Sequence, residues 1–226
     1  MILRDRVAIE SLSEFLRYLA AHEQDETGLP ALTDLSHELG LSVASLREQL
    51  EVARALGLVD VRPRTGIRRL PYSFLPAVRQ SLGYAMARKE DSFGAFADLR
   101  KHVEAAYWYE AVKKLTDEDR ARLQSLMARA WTKLKGSPVQ IPHDEHKQLH
   151  LTIYGRLDNP FVSGILEAYW EAYEAIGLNV FTDYKYLQEV WQYHQQMVDA
   201  ICTENYEAGY KALLDHTDLI YHRPAL

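Results

Sequence analysis

Apolar residues recur at helical spacing in ESLSEFLRYLAAH, in ALTDLSHELG, a short helix ended by Gly40, and in SVASLREQLEVARALG, which opens on a capping serine. After Gly57 the pattern changes. LVDVRPRTGIRRL reads as two short strands around Pro63 to Gly66, a small hairpin. The passage YSFLPAVRQSLGYAMARKEDSFGAF mixes helix and turn, and long helical periodicity resumes near Phe96. Helices are then expected at about 94–115, 117–135, 143–157, 160–177, 185–203 and 206–222, with no convincing strand. Thr116 is followed by Asp117, Glu118 and Asp119, acids suited to a helix start; Asn159 caps a helix that begins with Pro160; Asn205 caps the last one.

Three helices and a hairpin form the order of a winged helix-turn-helix, and the later helices form an antiparallel all-helical bundle. The chain is therefore expected to be mainly α. A winged domain should occupy residues 1–70, a connecting segment 71–92, and a helical domain 93–226, with the boundary near residue 71.

Composition narrows the class. A chain of 226 residues that is 47% hydrophobic can bury sizeable cores, which excludes disorder as the default. No window reaches the roughly 18 uninterrupted apolar residues of a membrane helix, and the amino terminus lacks the pattern of a secretory leader, so a soluble cytoplasmic protein is expected. Cys202 stands alone in the sequence, which leaves no intrachain disulfide and no thiolate metal cluster. The net charge of −6 argues against a surface that grips nucleic acid along its whole length. Any DNA contact must be local, and residues 47 to 69 are locally positive, with Arg47, Arg54, Arg62, Arg64, Arg68 and Arg69 against Glu48, Glu51 and Asp60.

In a helix-turn-helix the second helix enters the major groove, so its outer face must be small, polar or cationic. Over residues 42 to 53, Ser42, Ser45 and Arg47 can face outward while Leu46, Leu50 and Val52 pack inward, and Gly40-Leu41-Ser42 makes the tight turn. Arg62, Arg64 and Arg68 can reach phosphates or the minor groove from the wing. Singly, each arginine is better explained by solvation, because surface arginine is common; the ordered combination favours DNA.

Through Leu29-Pro30 and DLSHELGLSVASLREQLEVARALGLVDVRPRTGI, residues of about 10 to 70 resemble the GntR family of bacterial regulators. The run Leu46-Arg47-Glu48-Gln49-Leu50 and the wing glycine Gly66 carry the resemblance. It implies Ser42, Ala44 and Ser45 as groove-facing positions beside Arg47 and the wing arginines. Thr33 and Val43 depart from it, standing where the family usually has DNA-contacting arginines.

The second half holds a histidine pattern. His146 and His150 are four apart, which on a helix places both imidazoles on one face, at a separation one divalent ion can bridge. His194 and His216 lie on the two final helices, which the turn at Thr203 to Asn205 folds antiparallel. From about Phe93 to His222 the chain resembles the FCD effector domain of the FadR branch of GntR regulators, through Arg100 with Glu104, His146-x-x-Leu149-His150 with Asn159, and His194 with His216. That resemblance implies His146, His150, His194 and His216 as metal ligands and small organic acids as effectors. His146 replaces the usual aspartate, which favours zinc or nickel over manganese.

Arg100 can fork onto an effector carboxylate or pair with Glu104 on its own helix. His143, one turn earlier, is a spare ligand or an exposed residue at a helix start. Tyr107, Tyr109, Tyr169 and Tyr173 can line a pocket or fill the core.

The expected function is a ligand-responsive transcription repressor: a homodimer that binds a double-stranded DNA operator and responds to a carboxylate effector through a divalent transition metal. Two other functions fit the sequence. One is a regulator-fold sensor with weakened DNA binding, resting on Thr33 and Val43. The other is a metal-dependent hydrolase with Asp144 or Glu145 as base.

Overall fold

The Ser13 side chain accepts the Leu16 amide and starts helix α1 (Glu14–Ala21). Helix α2 (Leu32–Leu39) ends at Gly40, whose φ of 64° is left-handed and so favours a residue without Cβ. Two residues after Gly40, Ser42 accepts the Ser45 amide at 3.1 Å and opens helix α3 (Val43–Ala55). Strands β1 (Val59–Arg62) and β2 (Gly66–Arg69) pair antiparallel with Val59 opposite Arg69 and Arg62 opposite Gly66. The computed structural model describes residues 11–22, 28–62, 66–88, 92–176 and 184–219.

Contacts divide the chain into two units, Met1–Gln80 and Ser81–Leu226. In the first, Phe15, Leu35, Leu46, Leu50, Ala53, Val59 and Ile67 are buried together, and the Phe15 amide donates to Gln49 Oε1 at 2.9 Å, tying α1 to α3. Val52 corrects the expected inward face of α3: it is 51% exposed. At 100° per residue the stripe through Leu46 and Leu50 continues to Ala53, and position 52 falls about a third of a turn away.

Helix α4 (Leu75–Ala87) runs across the division, inside the stretch expected to mix helix and turn. Its sequence has no marked apolar stripe, and Leu82 is its buried residue.

The second unit continues with α5 (Ser92–Lys113), α6 (Asp117–Leu134), α7 (His143–Tyr154), α8 (Pro160–Ala175), α9 (Tyr184–Cys202) and α10 (Tyr206–Leu219). The expected caps operate. Thr116 and Asp119 exchange side-chain to backbone hydrogen bonds at the start of α6, Asn159 accepts the amides of Phe161 and Val162, and Asn205 accepts that of Ala208.

Helix α5 packs against α7, α8 and α10; α9 packs against α6 and α10. Because α5 touches three neighbours, its buried positions do not form one stripe. They include two charged residues, Arg100 and Glu104. Around them Trp108, Leu123, Met127, Leu149, Ile153, Leu166, Trp191 and Met197 form the main core. Among the described residues no helix is long and apolar enough to cross a membrane.

Candidate metal centre and nucleic-acid interface

Helix α7 carries His146 and His150 one turn apart, with ring centroids 5.2 Å from each other. Helix α9 supplies His194 and the last turn of α10 supplies His216, whose rings lie 4.2 Å apart. One ligand nitrogen from each of the four lies within 4.8 Å of the others. His150, His194 and His216 are buried, and His146 is half-buried.

A second layer orients His150. Its Nδ1–H donates to Glu104 Oε1 at 3.0 Å, and Arg100 Nη2 pairs with Glu104 Oε2 at 2.9 Å. Arg100 Nη2 also lies 2.9 Å from His150 Nδ1. One ring nitrogen cannot both donate to the carboxylate and accept from the guanidinium, so Glu104 takes the imidazole proton, while Arg100 Nη2, 2.9 and 3.2 Å from the two ring nitrogens, meets Glu104 Oε2 as an ion pair without a hydrogen bond. With Nδ1 protonated, His150 Nε2 keeps its lone pair facing the set, as in carboxylate–histidine pairs behind metal ligands. The Tyr154 hydroxyl donates to the Glu104 carbonyl at 2.9 Å, and the Arg100 guanidinium lies 4.8 Å over the Tyr169 ring.

The electrostatics suit cation binding. Burial, then the neighbouring imidazoles, push His146 and His194 well below the ordinary histidine range; burial, His150 and Arg100 do the same to His216. All three are held neutral. Burial works against the charge of Glu104, but Arg100 and His150 outweigh it and keep the carboxyl ionised.

The donor set also passes a direct test of fit. His146 Nε2, His194 Nδ1, and both ring nitrogens of His216 are buried without a hydrogen-bond partner. Such a group costs about 1–3 kcal/mol unless something satisfies it. His150 Nε2 and His194 Nε2 stand 3.2 Å apart, close to the separation of two nitrogens sharing one ion through bonds of about 2.0–2.1 Å. A nitrogen-only set suits borderline divalent ions.

The other sequence candidates distribute around this centre. His143 lies outside the set and is half-buried. Glu145 is bound to Lys133 at 2.7 Å and Arg129 at 3.6 Å, and Asp144 is exposed, so neither serves as a base beside the histidines. Tyr169 and Tyr173 reach the site. Tyr107 instead accepts from Asn159 Nδ2 at 3.2 Å, and Tyr109 is surface-exposed and donates to Glu207.

Arg100 and Glu104 form the ion pair that sequence allowed as one of two possibilities, but the pair is wholly buried. Trp170 and Trp191, not among the sequence candidates, also border the site, with rings 4.6 and 5.9 Å from that of His146. A signal existed: Trp170 sits three residues before Tyr173 on α8, and Trp191 three before His194 on α9.

In the winged unit, Ser42, Ala44 and Arg47 are exposed and Ser45 is half-buried. The Ser42 hydroxyl is engaged in capping. On the wing, Arg62 is exposed but paired with Asp60 at 2.6 Å, Arg68 is exposed, and Gly66 adopts a positive φ of 80°. Arg64 lies outside the described residues. Thr33 is exposed near the start of α2, and Val43 is the first residue of α3.

A winged reader joined to a helical unit with an enclosed ligand set defines the class of one-chain, ligand-sensing transcription regulators. Residues 95–219 match the FCD domain, so the chain belongs to the FCD family, among the GntR-type DNA-binding transcriptional regulators rather than the enzymes. It is similar to the HTH-type transcriptional regulator YieP of Escherichia coli K12, with 26% identity over 210 residues that cover 91% of this chain and 89% of that one. Its fold is that of the solved Streptococcus agalactiae GntR, at a TM-score of 0.70 and 16% identity, over 96% of this chain and 100% of that one.

Proposed function

We propose that the protein is a homodimeric, cytoplasmic repressor whose helical unit holds one divalent transition metal, zinc or nickel, on His146, His150, His194 and His216. A small organic acid binds there, and its binding alters operator affinity. The observation that carries this reading is the set of four clustered imidazoles, of which His146, His194 and His216 hold buried ring nitrogens without a protein partner. An ion there would act as a Lewis acid that fixes a carboxylate. The chain's own groups do the rest: Glu104 orients His150, and Arg100 offers a guanidinium whose Nε is unpartnered. The effector can shift operator binding only by its different affinity for the two conformations of the regulator.

An electrophoretic shift against the DNA upstream of the protein's own gene, at low salt, tests the whole reading. Retardation should change when zinc is stripped by a chelator and again when short carboxylic acids are added to the metal-loaded protein. No retardation under any of these conditions contradicts it.

A second reading, a regulator fold with weakened DNA binding, is favoured by one observation. Among the described residues Arg62 is paired with Asp60 and Arg54 with Glu51, and Glu48 is exposed on α3, which lowers the cationic charge offered to phosphates.

A further inference from the structure

Two hydrogen-bond donors beside the histidines have no acceptor: the indole Nε1–H of Trp170 and the Nε–H of Arg100. Both side chains are 1% exposed. The Arg100 guanidinium lies 5.5 Å over the Trp170 ring, which in turn rests 4.6 Å from His146 and 5.4 Å from His150. One wall of the histidine set therefore holds two unsatisfied donors, where native interiors normally leave none without reason. An acceptor that belongs to a ligand satisfies both.

Charge balance says what kind of ligand. The positive charge of Arg100 is cancelled by Glu104, which is the carboxylate acting on these imidazoles among the described residues. The four ligands are neutral, since His146 stands where a carboxylate would have removed one charge. A divalent ion on this set leaves two positive charges uncompensated in an interior where three of the four ligands are buried. A ligand carrying two negative charges balances the ion, and its second anionic group supplies the acceptor that the donor wall lacks.

We propose that Trp170 and Arg100 form the specificity wall of the effector site, and that the effector is a short dicarboxylate, one carboxylate at the metal and the other on the Trp170 and Arg100 donors. The inference rests on the metal-dependent sensor proposed above.

The experiment uses the full chain dialysed against zinc, with metal content measured first and binding then followed by calorimetry. Succinate and malonate are titrated against butyrate, propionate, inorganic phosphate and sulfate. A dicarboxylate should bind at least tenfold more tightly than the monocarboxylate of equal length. Trp170→Phe, which keeps the ring and removes the donor, should lose about tenfold of that affinity with metal content unchanged. His146→Asp, which restores one negative charge, should bring the dicarboxylate and monocarboxylate affinities closer together.

Equal affinities for the two classes, or a Trp170→Phe protein that binds as the wild type does, overturn the proposal while leaving the metal reading intact. Tighter binding of phosphate or sulfate overturns the dicarboxylate assignment. Absence of zinc from the wild-type chain overturns both.

Discussion

Glu104 touches both His150 and Arg100, and its two carboxylate oxygens serve different masters: one orients the His150 imidazole and the other neutralises a buried cation. Glu104→Gln keeps an oxygen for the His150 Nδ1–H but removes the charge. Metal affinity should fall about 10–100-fold, measured by competition with a chromogenic chelator. The metal-free protein should also lose about 3–5 kcal/mol of stability in urea, because Arg100 is left buried without its countercharge. Unchanged values in both assays would mean that Glu104 is dispensable. At this scale the sequence shows the histidines well, because the spacing of His146 and His150 is itself a ligand geometry. It shows Arg100 and Glu104 poorly. Their spacing is that of an ordinary exposed pair, and burial on α5 depends on three neighbouring helices that local periodicity does not record.

Helix ends and helix contacts carry the next predictions. Asp119 closes the capping box of α6 and binds Arg156 at 2.8 Å, and its pKa is pulled down to about 2, chiefly by the Arg156 hydrogen bond. An ordinary unfolded-state aspartate titrates near about 3.9. The folded value is the lower one, so the stabilisation is complete above the unfolded pKa and is lost as pH falls through the folded one. Asp119→Asn should therefore melt lower than wild type at pH 7, and the gap should narrow below about pH 4. A gap independent of pH contradicts this.

Gly209 brings α10 against α5: a Cβ there would meet Trp108 Cζ2 at 2.6 Å. Gly209→Ala should cost about 1–3 kcal/mol of stability by overpacking, read from denaturant unfolding. In the winged unit, Thr33→Arg with Val43→Arg should raise DNA affinity and steepen its logarithmic salt dependence by about two units. No gain would count against the assigned orientation of α2 and α3 on DNA. Most helices were legible because their caps, Thr116, Asn159 and Asn205, lie in the sequence in plain order. Helix α4 was not, because it lacks an apolar stripe, and Val52 lies about a third of a turn away from the buried stripe of α3.

Considered as a whole, the chain joins a winged unit to a helical unit that gathers four histidines at one point. The winged unit presents Ser42, Ala44, Arg47 and Arg68 but neutralises Arg62 internally, while the helical unit concentrates unsatisfied nitrogen donors around one point. The domain order was legible because the change from helix-and-hairpin to continuous helical periodicity marks it. The aromatic wall of the sensor was not, since Trp170 and Trp191 join the histidines only when α7, α8 and α9 are assembled.

The most direct measurement is metal content by mass spectrometry of the purified full chain after dialysis against zinc, beside a His194→Ala, His216→Ala variant treated identically. The wild type should hold about one zinc per chain and the variant almost none, with both proteins folded by circular dichroism. A wild type without stoichiometric metal, or a variant that retains it, would contradict the assignment of the four histidines as a metal centre.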